Sequence, residues 1–163
     1  MKVKWIKDQK AEHHLRSLGI KFEAATVPLA DVDMKLSLQR QTRLAGKLND
    51  DWVIEYATAM DGGSPFPMVI LSKLKPKGFY VPSGLHRAAA AAFIGETKID
   101  AYVVAIHDPR IADIFARTVN AIEGHRLSRD EMLVNARYLI ETHSMSTEEA
   151  AKLLGLKPNW ITV

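Results

Sequence analysis

The segment from Phe79 to Phe93 carries the residue types best suited to chemistry, because it predicts a strand that feeds a helix through Pro82-Ser83-Gly84. Backbone N–H groups at a helix start attract anions, and Ser83 is expected to cap this helix. His86 and Arg87 fall in the first turn, where a cation opposes the helix dipole. A phosphate gripped by Arg87 would remove that conflict. The structural alternative is that Arg87 pairs with a carboxylate and that His86 is an interior side chain.

No other group of side chains has the spacing of a catalytic or metal site. Five acidic residues fit no metal motif and are better explained as a solvated face: Asp31, Asp33, Asp50, Asp51 and Glu55. The histidines show no paired ligand spacing either. Because the chain has no cysteine, thiolate metal sites, disulfides and cysteine nucleophiles are excluded. We therefore predict no metal ligands and leave the catalytic residues open.

The last part of the chain predicts a helix-turn-helix. Ser146-x-x-Glu149 is a capping box that starts one helix. Ala151 suits the crossing of two helices, Gly155 makes the turn, and Pro158 opens the second helix. An ordinary pair of antiparallel helices is the alternative.

The second helix of such a motif reads DNA with its N-terminal residues. We therefore expect four residues to lie near DNA: Lys157, Asn159, Trp160 and Thr162. Trp160 fits a core position equally well. Basic and acidic residues are equal in number from 126 to 163, which weakens the DNA interpretation. The sequence stops about one turn into the second helix, so we expect the motif to be truncated at its C-terminus.

The elements that must position these residues follow from the hydrophobic pattern. Helices are predicted at 8–18, 51–60, 88–94, 109–122, 128–142 and 146–154, and strands at 22–29, 67–71, 79–81 and 99–106. The polar segment 37–43 predicts a loop or a frayed helix. The strands at 67–71 and 79–81 form a hairpin, and Pro28 makes the first strand an edge strand. The fold class is therefore α+β, with an α/β domain at 1–107 and a helical DNA-binding-type domain at 108–163.

Composition excludes several classes of protein. The chain has 163 residues, of which 47% are hydrophobic, and a net charge of +3, which permits an anionic partner without requiring one. Its start does not resemble a signal peptide, and no apolar run reaches the roughly 18 residues of a membrane span. We expect a cytoplasmic protein that does not contact membranes. The basic excess in residues 1–22 predicts a solvated helix face, with phosphate contact as the alternative.

The span from Pro67 to Val104 resembles the N-terminal domain of ParB proteins, which shares its fold with sulfiredoxin. The resemblance rests on Pro67-Met68-Val69-Ile70, Gly84-Leu85-His86-Arg87-Ala88-Ala89-Ala90, Gly95 and Ile99-Asp100-Ala101-Tyr102-Val103-Val104. Upstream, Gln39-Arg40-Gln41-Thr42-Arg43 is similar to the Gln-rich motif of that family. Downstream, the segment 120–128 is similar to its Asn-containing motif. The order and spacing of these motifs carry the resemblance over about residues 26–163.

The resemblance implies a phosphate site for CTP at Gly84, His86 and Arg87. It also implies that Arg43 approaches the nucleotide and that Asn120 helps with phosphate or metal, while Ser83 belongs to the same turn. Sulfiredoxins carry a catalytic Cys where this chain has Leu85, so sulfiredoxin chemistry is excluded. ParB proteins usually read Gly-Glu-Arg-Arg at this site, and Leu85-His86 departs from that pattern.

These features together predict a ParB-like, nucleotide-responsive DNA-binding protein of the ParB/KorB type, acting in plasmid or chromosome partition or in transcription regulation. The expected fold is a small mixed sheet of the ParB/sulfiredoxin kind with flanking helices, followed by an all-helical helix-turn-helix tail. Its ligand is CTP, or ATP, with Mg²⁺, and its DNA-reading units imply a homodimer.

Two alternatives stay open. One is an enzyme of the same fold, either a nuclease or an ATP-using small-molecule kinase. Glu123 is its candidate carboxylate by family position, because Ser83 stands where some relatives carry an acidic residue. The other is an interaction module with a disused pocket.

Overall fold

The computed structural model describes residues 3–40, 48–122 and 127–161. Backbone contacts divide these residues into two units, and the chain passes from the first to the second between Ile106 and His107. The first unit contains β1 (Lys4–Ile6), α1 (Gln9–Ser17), β2 (Phe22–Pro28), α2 (Met34–Gln39), α3 (Asp50–Asp61), β3 (Pro65–Pro67), β4 (Val69–Lys73), β5 (Phe79–Ser83), α4 (Leu85–Phe93) and β6 (Lys98–Val104). The second contains α5 (Pro109–Thr118), α6 (Arg129–His143) and α7 (Thr147–Leu154), with 3-10 turns at Val119–Ile122 and Pro158–Trp160.

The main sheet has the strand order β2, β6, β4, β5. β6 is antiparallel to β2 and parallel to β4, with Ile70 opposite Tyr102, and β4 and β5 form the predicted antiparallel hairpin. The edge position of β2 is confirmed as well. β1 and β3 pair in a separate parallel sheet that the sequence pattern did not predict, because three-residue strands leave no readable period.

The outer edge of β5 is covered by the chain that leads into α2. The Asp33 N–H donates to the Phe79 carbonyl at 2.7 Å, and the Val81 N–H donates to the Ser37 hydroxyl at 2.8 Å. Ser37 is fully buried and also donates to the Asp33 carbonyl. Unpaired strand edges invite association with other strands, so this contact both protects β5 and fixes α2 beside it. The segment expected as a loop or frayed helix is therefore helical up to Gln39.

α4 packs against the sheet and against α3 through small side chains. Ala88, Ala90 and Ala91 are completely buried in the same core as Ala57 and Met60 of α3. Alanine lets backbones approach closely, and interiors packed at crystal-like density leave no room for larger groups. The alanine run thus sets the position of the α4 N-terminus relative to β4 and β5.

Helix caps and a polar cluster contribute to the structure of the second unit. Ser128 and Glu131 form both hydrogen bonds of the predicted capping box at the start of α6. At the predicted second box, Ser146 caps α7, but the Glu149 carboxylate accepts from the Ser146 hydroxyl instead of its N–H.

Asp113 of α5 links the two longer helices of this unit. It accepts from the Tyr138 hydroxyl and contacts His143 Nε2, both at 2.7 Å. Burial raises the pKa of Asp113, but these two contacts, together with the nearby charge of Arg117, outweigh it and leave the pKa below its ordinary value. The carboxylate therefore holds α5 to α6 as an anion.

Three predicted helices differ from the structure by more than one residue at an end. α4 begins at Leu85, three residues before the predicted 88, because Gly84 turns the chain directly into the helix. The helix predicted at 109–122 ends at Thr118, whose hydroxyl donates to the Ile114 carbonyl, and continues as a 3-10 turn. Where a second helix was expected after Pro158, the described residues form one 3-10 turn. Among the helices described, none is both long and apolar enough to span a membrane.

Candidate functional site

Gly84 forms the turn between β5 and α4, and no other residue fits there. Its φ of +99° lies in the left-handed region. A Cβ on Gly84 would lie 2.5 Å from Val69 Cγ1 and 2.9 Å from Arg87 Nη2. The expectation that Ser83 caps the helix is wrong: Gly84 occupies the N-cap position, and Ser83 is the buried last residue of β5. The left-handed turn displaces the cap by one residue.

The amides of the first turn of α4 lie outside the helical hydrogen-bond ladder. The first helical bond runs from the Ala88 N–H to the Gly84 carbonyl at 2.9 Å. The N–H groups of residues 85–87 have no acceptor four residues back within the helix, which gives this end a partial positive charge. The helix has nine residues and no acidic side chain in its first turn.

The Arg87 guanidinium is anchored to the backbone between β3 and β4. Its Nη1 donates to the Pro67 carbonyl at 2.5 Å and to the Met68 carbonyl at 3.1 Å. Among the residues that the structure describes, Arg87 forms no ion pair with a carboxylate. Neutral carbonyls thus hold the side chain in place without cancelling its charge.

His86 is buried and faces the start of α3. Its Nε2 accepts the Asn49 N–H at 3.0 Å, and its ring meets the Trp52 ring edge-on at 5.1 Å. The first turn of α4 therefore presents Arg87 and a His86 whose Nε2 is engaged within the protein. Sequence reasoning missed the contribution of Asn49, for which only its position before Asp50-Asp51, as a helix cap, gives a signal.

The upstream Gln-rich segment is described as far as Arg40. Arg40 follows α2, and its guanidinium lies over the Tyr80 ring of β5, 4.5 Å from the centroid. Arg43, expected to approach the nucleotide, lies outside the described residues.

The remaining predicted nucleotide contact lies in the second unit. Asn120 is buried in the 3-10 turn after α5, with 2% of its surface exposed. Glu123, the candidate catalytic carboxylate, lies outside the described residues. Over the described ranges, no group of three or more His, Asp or Glu side chains could hold one metal ion.

The predicted DNA contacts lie around the 3-10 turn at Pro158–Trp160. Lys157 and Asn159 are exposed, and Trp160 is half-buried. The Trp160 ring lies 3.9 Å from the Arg129 guanidinium carbon and 5.5 Å from Lys157 Nζ. Arg129, at the start of α6, was not among the predicted contacts, since sequence spacing does not show that α6 starts beside this turn. Thr162 lies outside the described residues.

The chain matches no protein-family model and no curated protein. In fold it is similar to the C-terminally truncated chromosome-partitioning protein ParB from Caulobacter crescentus complexed to the centromeric parS site, with 12% identity and a TM-score of 0.58 over 84% of this chain and 67% of that one. A Pnob8-like ParB-N domain is 11% identical, with a TM-score of 0.54 over 86% and 66% of the two chains.

The Caulobacter protein complexed with CTP-gamma-S is 15% identical, with a TM-score of 0.45 over 83% and 73%. At these identities the likeness is one of fold. The chain has a mixed α+β fold with small sheets, similar to ParB structures, and spans about two thirds of the length of the two chains with the higher TM-scores.

Proposed function

We propose that this chain is a ParB-like, nucleotide-responsive DNA-binding protein that holds the phosphates of a nucleotide at the Gly84–Arg87 turn. The observation that carries the proposal is the state of Arg87, a cation fixed by two carbonyls with no carboxylate partner among the described residues. Arginines with a structural role usually pair with carboxylates. An arginine that is held in place without a carboxylate partner is suited to bind an anionic ligand.

The anchoring through Nη1 also suits two-point binding of phosphate. Nη2 lies against Gly84, where the missing side chain makes room for it. The Nε–Nη2 edge of a guanidinium has the spacing of two phosphate oxygens. Because Nη2 lies near Gly84, the residue that precedes the first turn of α4, we expect one anion to contact both the guanidinium and the first-turn amides. The ligand proposed is CTP, with ATP as the other candidate, bound with Mg²⁺.

Calorimetric titration of CTP, ATP and GTP with Mg²⁺ tests this site. In wild type we expect binding of at least one nucleotide, and Arg87→Ala should weaken it by about tenfold to a hundredfold, the value of hydrogen bonds to a charged group. Arg16→Ala is the matched control, because Arg16 is an exposed arginine that already pairs with Glu12. No binding in wild type, or equal loss in both variants, would contradict the proposal.

The second unit is proposed to bind DNA through a helix-turn-helix that begins with α7. Support comes from the exposed Lys157 and Asn159 and from the cations around Trp160. The Caulobacter ParB of similar fold is complexed to parS. A homodimer acting in partition or transcription regulation completes the proposal, since paired reading units match DNA half-sites.

Nucleotide response is tested by the anisotropy of a labelled random-sequence duplex titrated with and without the nucleotide that binds. A ligand changes the DNA affinity only if it favours one of two states of the protein. We expect a nucleotide-dependent shift in wild type and none in Arg87→Ala. The enzymatic alternative predicts Mg²⁺-dependent nucleotide turnover that is lost in Glu123→Ala, and absence of turnover would dismiss it.

A further inference from the structure

The protonation of His86 follows from its contact with Asn49. A backbone N–H can only donate, so His86 Nε2 must accept and carries no proton. In a neutral imidazole the proton is then on Nδ1. Nε2 is therefore engaged within the protein and has no proton to donate to a phosphate.

Asn49 fixes this contact firmly because it has two tasks. Its side-chain Oδ1 accepts from the Trp52 N–H at 3.2 Å and caps α3, while its own N–H donates to His86. The Trp52 ring packs edge-on against the imidazole at 5.1 Å. The N-terminal turn of α3 thus holds the His86 ring through the main chain of Asn49 and the side chain of Trp52.

Consecutive residues of α4 are consequently tied to two different elements. His86 is bound to the start of α3, and Arg87 is bound to the carbonyls between β3 and β4. A first turn fixed at both residues keeps its amides and the Arg87 guanidinium in one relative orientation. Loss of either tie lets the turn rotate or fray, and a site that loses about an ångström of precision loses affinity.

We propose that His86 is a positioning residue, which orients the phosphate-binding turn through its bond to Asn49 and does not itself contact the ligand. This inference rests on the proposed nucleotide function. It assigns His86 a role different from the phosphate contact that the resemblance to ParB proteins implies.

Two substitutions of His86 separate the roles. Gln places an amide oxygen near the position of Nε2 and can still accept the Asn49 N–H, whereas Leu fills the space and accepts nothing. We expect His86→Leu to weaken CTP binding by about tenfold, the value of one hydrogen bond, and His86→Gln to restore most of it. Equal losses in the two variants would overturn the proposal.

A second pair of variants leaves His86 in place. Asn49→Ala removes the α3 cap but keeps the N–H donor, and Asn49→Pro removes both. The proposal expects the additional loss of CTP affinity in Asn49→Pro, beyond that in Asn49→Ala, to match the loss in His86→Leu. Equal affinities of the two Asn49 variants would contradict it.

Two readouts need no nucleotide. Imidazole ¹⁵N shifts should identify His86 as the Nδ1–H tautomer, and hydrogen exchange of the Asn49 amide should be faster in His86→Leu than in Arg87→Ala. If these results hold while wild type binds no nucleotide, the proposed function fails and the His86–Asn49 bond stands. If His86→Leu weakens binding with unchanged Asn49 exchange, His86 contacts the ligand and the positioning role is wrong.

Discussion

At the scale of single residues, Gly84 is constrained more tightly than any other glycine described in the first unit. Its positive φ coincides with the approach of the Val69 side chain, a buried part of the sheet that cannot move aside. Gly95, at the other end of α4, has a φ of +88° but nothing within 4 Å of a Cβ. Substitutions at these two glycines can therefore distinguish the cost of backbone strain from the cost of steric crowding.

Gly84→Ala should lower the free energy of unfolding by about 2–4 kcal/mol, from left-handed strain together with overpacking against Val69. Gly95→Ala carries only the strain and should cost about 1–2 kcal/mol. Urea unfolding of both variants measures the difference, and Gly84→Ala should also weaken nucleotide binding because Nη2 of Arg87 is displaced. Equal destabilisation of the two variants would show that the Gly84 turn has spare room.

The sequence predicted the Gly84–Arg87 turn because strand, glycine and helix lie next to one another along the chain. It did not predict which groups the side chains of His86 and Arg87 bind. The partners of His86 and Arg87 are a backbone N–H 37 residues upstream and backbone carbonyls 19 and 20 residues upstream. Main-chain groups carry no residue type, so sequence pattern gives no sign of such contacts.

At the scale of elements, the buried face of α1 includes a titratable group. His14 lies on its buried face with Ala11 and Leu15 and is only 5% exposed. Burial, with a smaller contribution from the neighbouring His13, lowers the pKa of His14 to about 4. α1 is further fixed by the Tyr102 hydroxyl, which accepts from the Asp8 N–H and donates to Glu12.

The lowered pKa of His14 makes stability depend on pH in a definite direction. The unfolded chain takes up the His14 proton near pH 6.5 and the folded chain only near pH 4, so the stabilisation is complete above the higher value and is lost as pH falls. We expect the free energy of unfolding to be about 2 kcal/mol lower at pH 5 than at pH 7.

Urea titrations at pH 5, 6 and 7 measure this loss. His14→Gln should flatten the dependence whatever its own stability, while His13→Gln, a change at the exposed neighbour, should leave it in place. A wild-type stability that is constant over this range would show that His14 can be protonated in the folded state.

Most elements were predictable because their signals are local. The capping box at Ser128 and the hairpin turn at residues 75–78 lie within a few residues of the structure they determine. β1 and β3 could not be predicted, since their pairing joins residues 61 apart through backbone bonds in two three-residue strands. The second helix expected after Pro158 is a single 3-10 turn in the described part of the chain, because a proline favours the start of a helix without determining its type or length.

At the scale of the whole molecule, charge limits the proposed binding of DNA. The net charge is +3, and the second unit has no excess of basic residues from 126 onward. Each phosphate neutralised by the protein contributes about 0.9 to the dependence of log K on log salt concentration. A protein with few cations facing the DNA should therefore bind DNA with an affinity that depends only weakly on salt concentration. Removing any one of those cations should reduce the slope measurably.

Lys157 is the cation best placed for this test, because it is exposed and stands beside Trp160 at the start of the last 3-10 turn. Lys157→Ala should reduce the salt slope of binding to a labelled random-sequence duplex by about one, with weaker binding at all salt concentrations. Lys77→Ala removes the same charge from an exposed turn of the first unit and should leave the slope unchanged. Net charge is equal in the two variants, so only a phosphate contact local to Lys157 separates them. Identical slopes in wild type and both variants would remove Lys157 from the DNA surface and leave the second unit without support as the DNA-binding part.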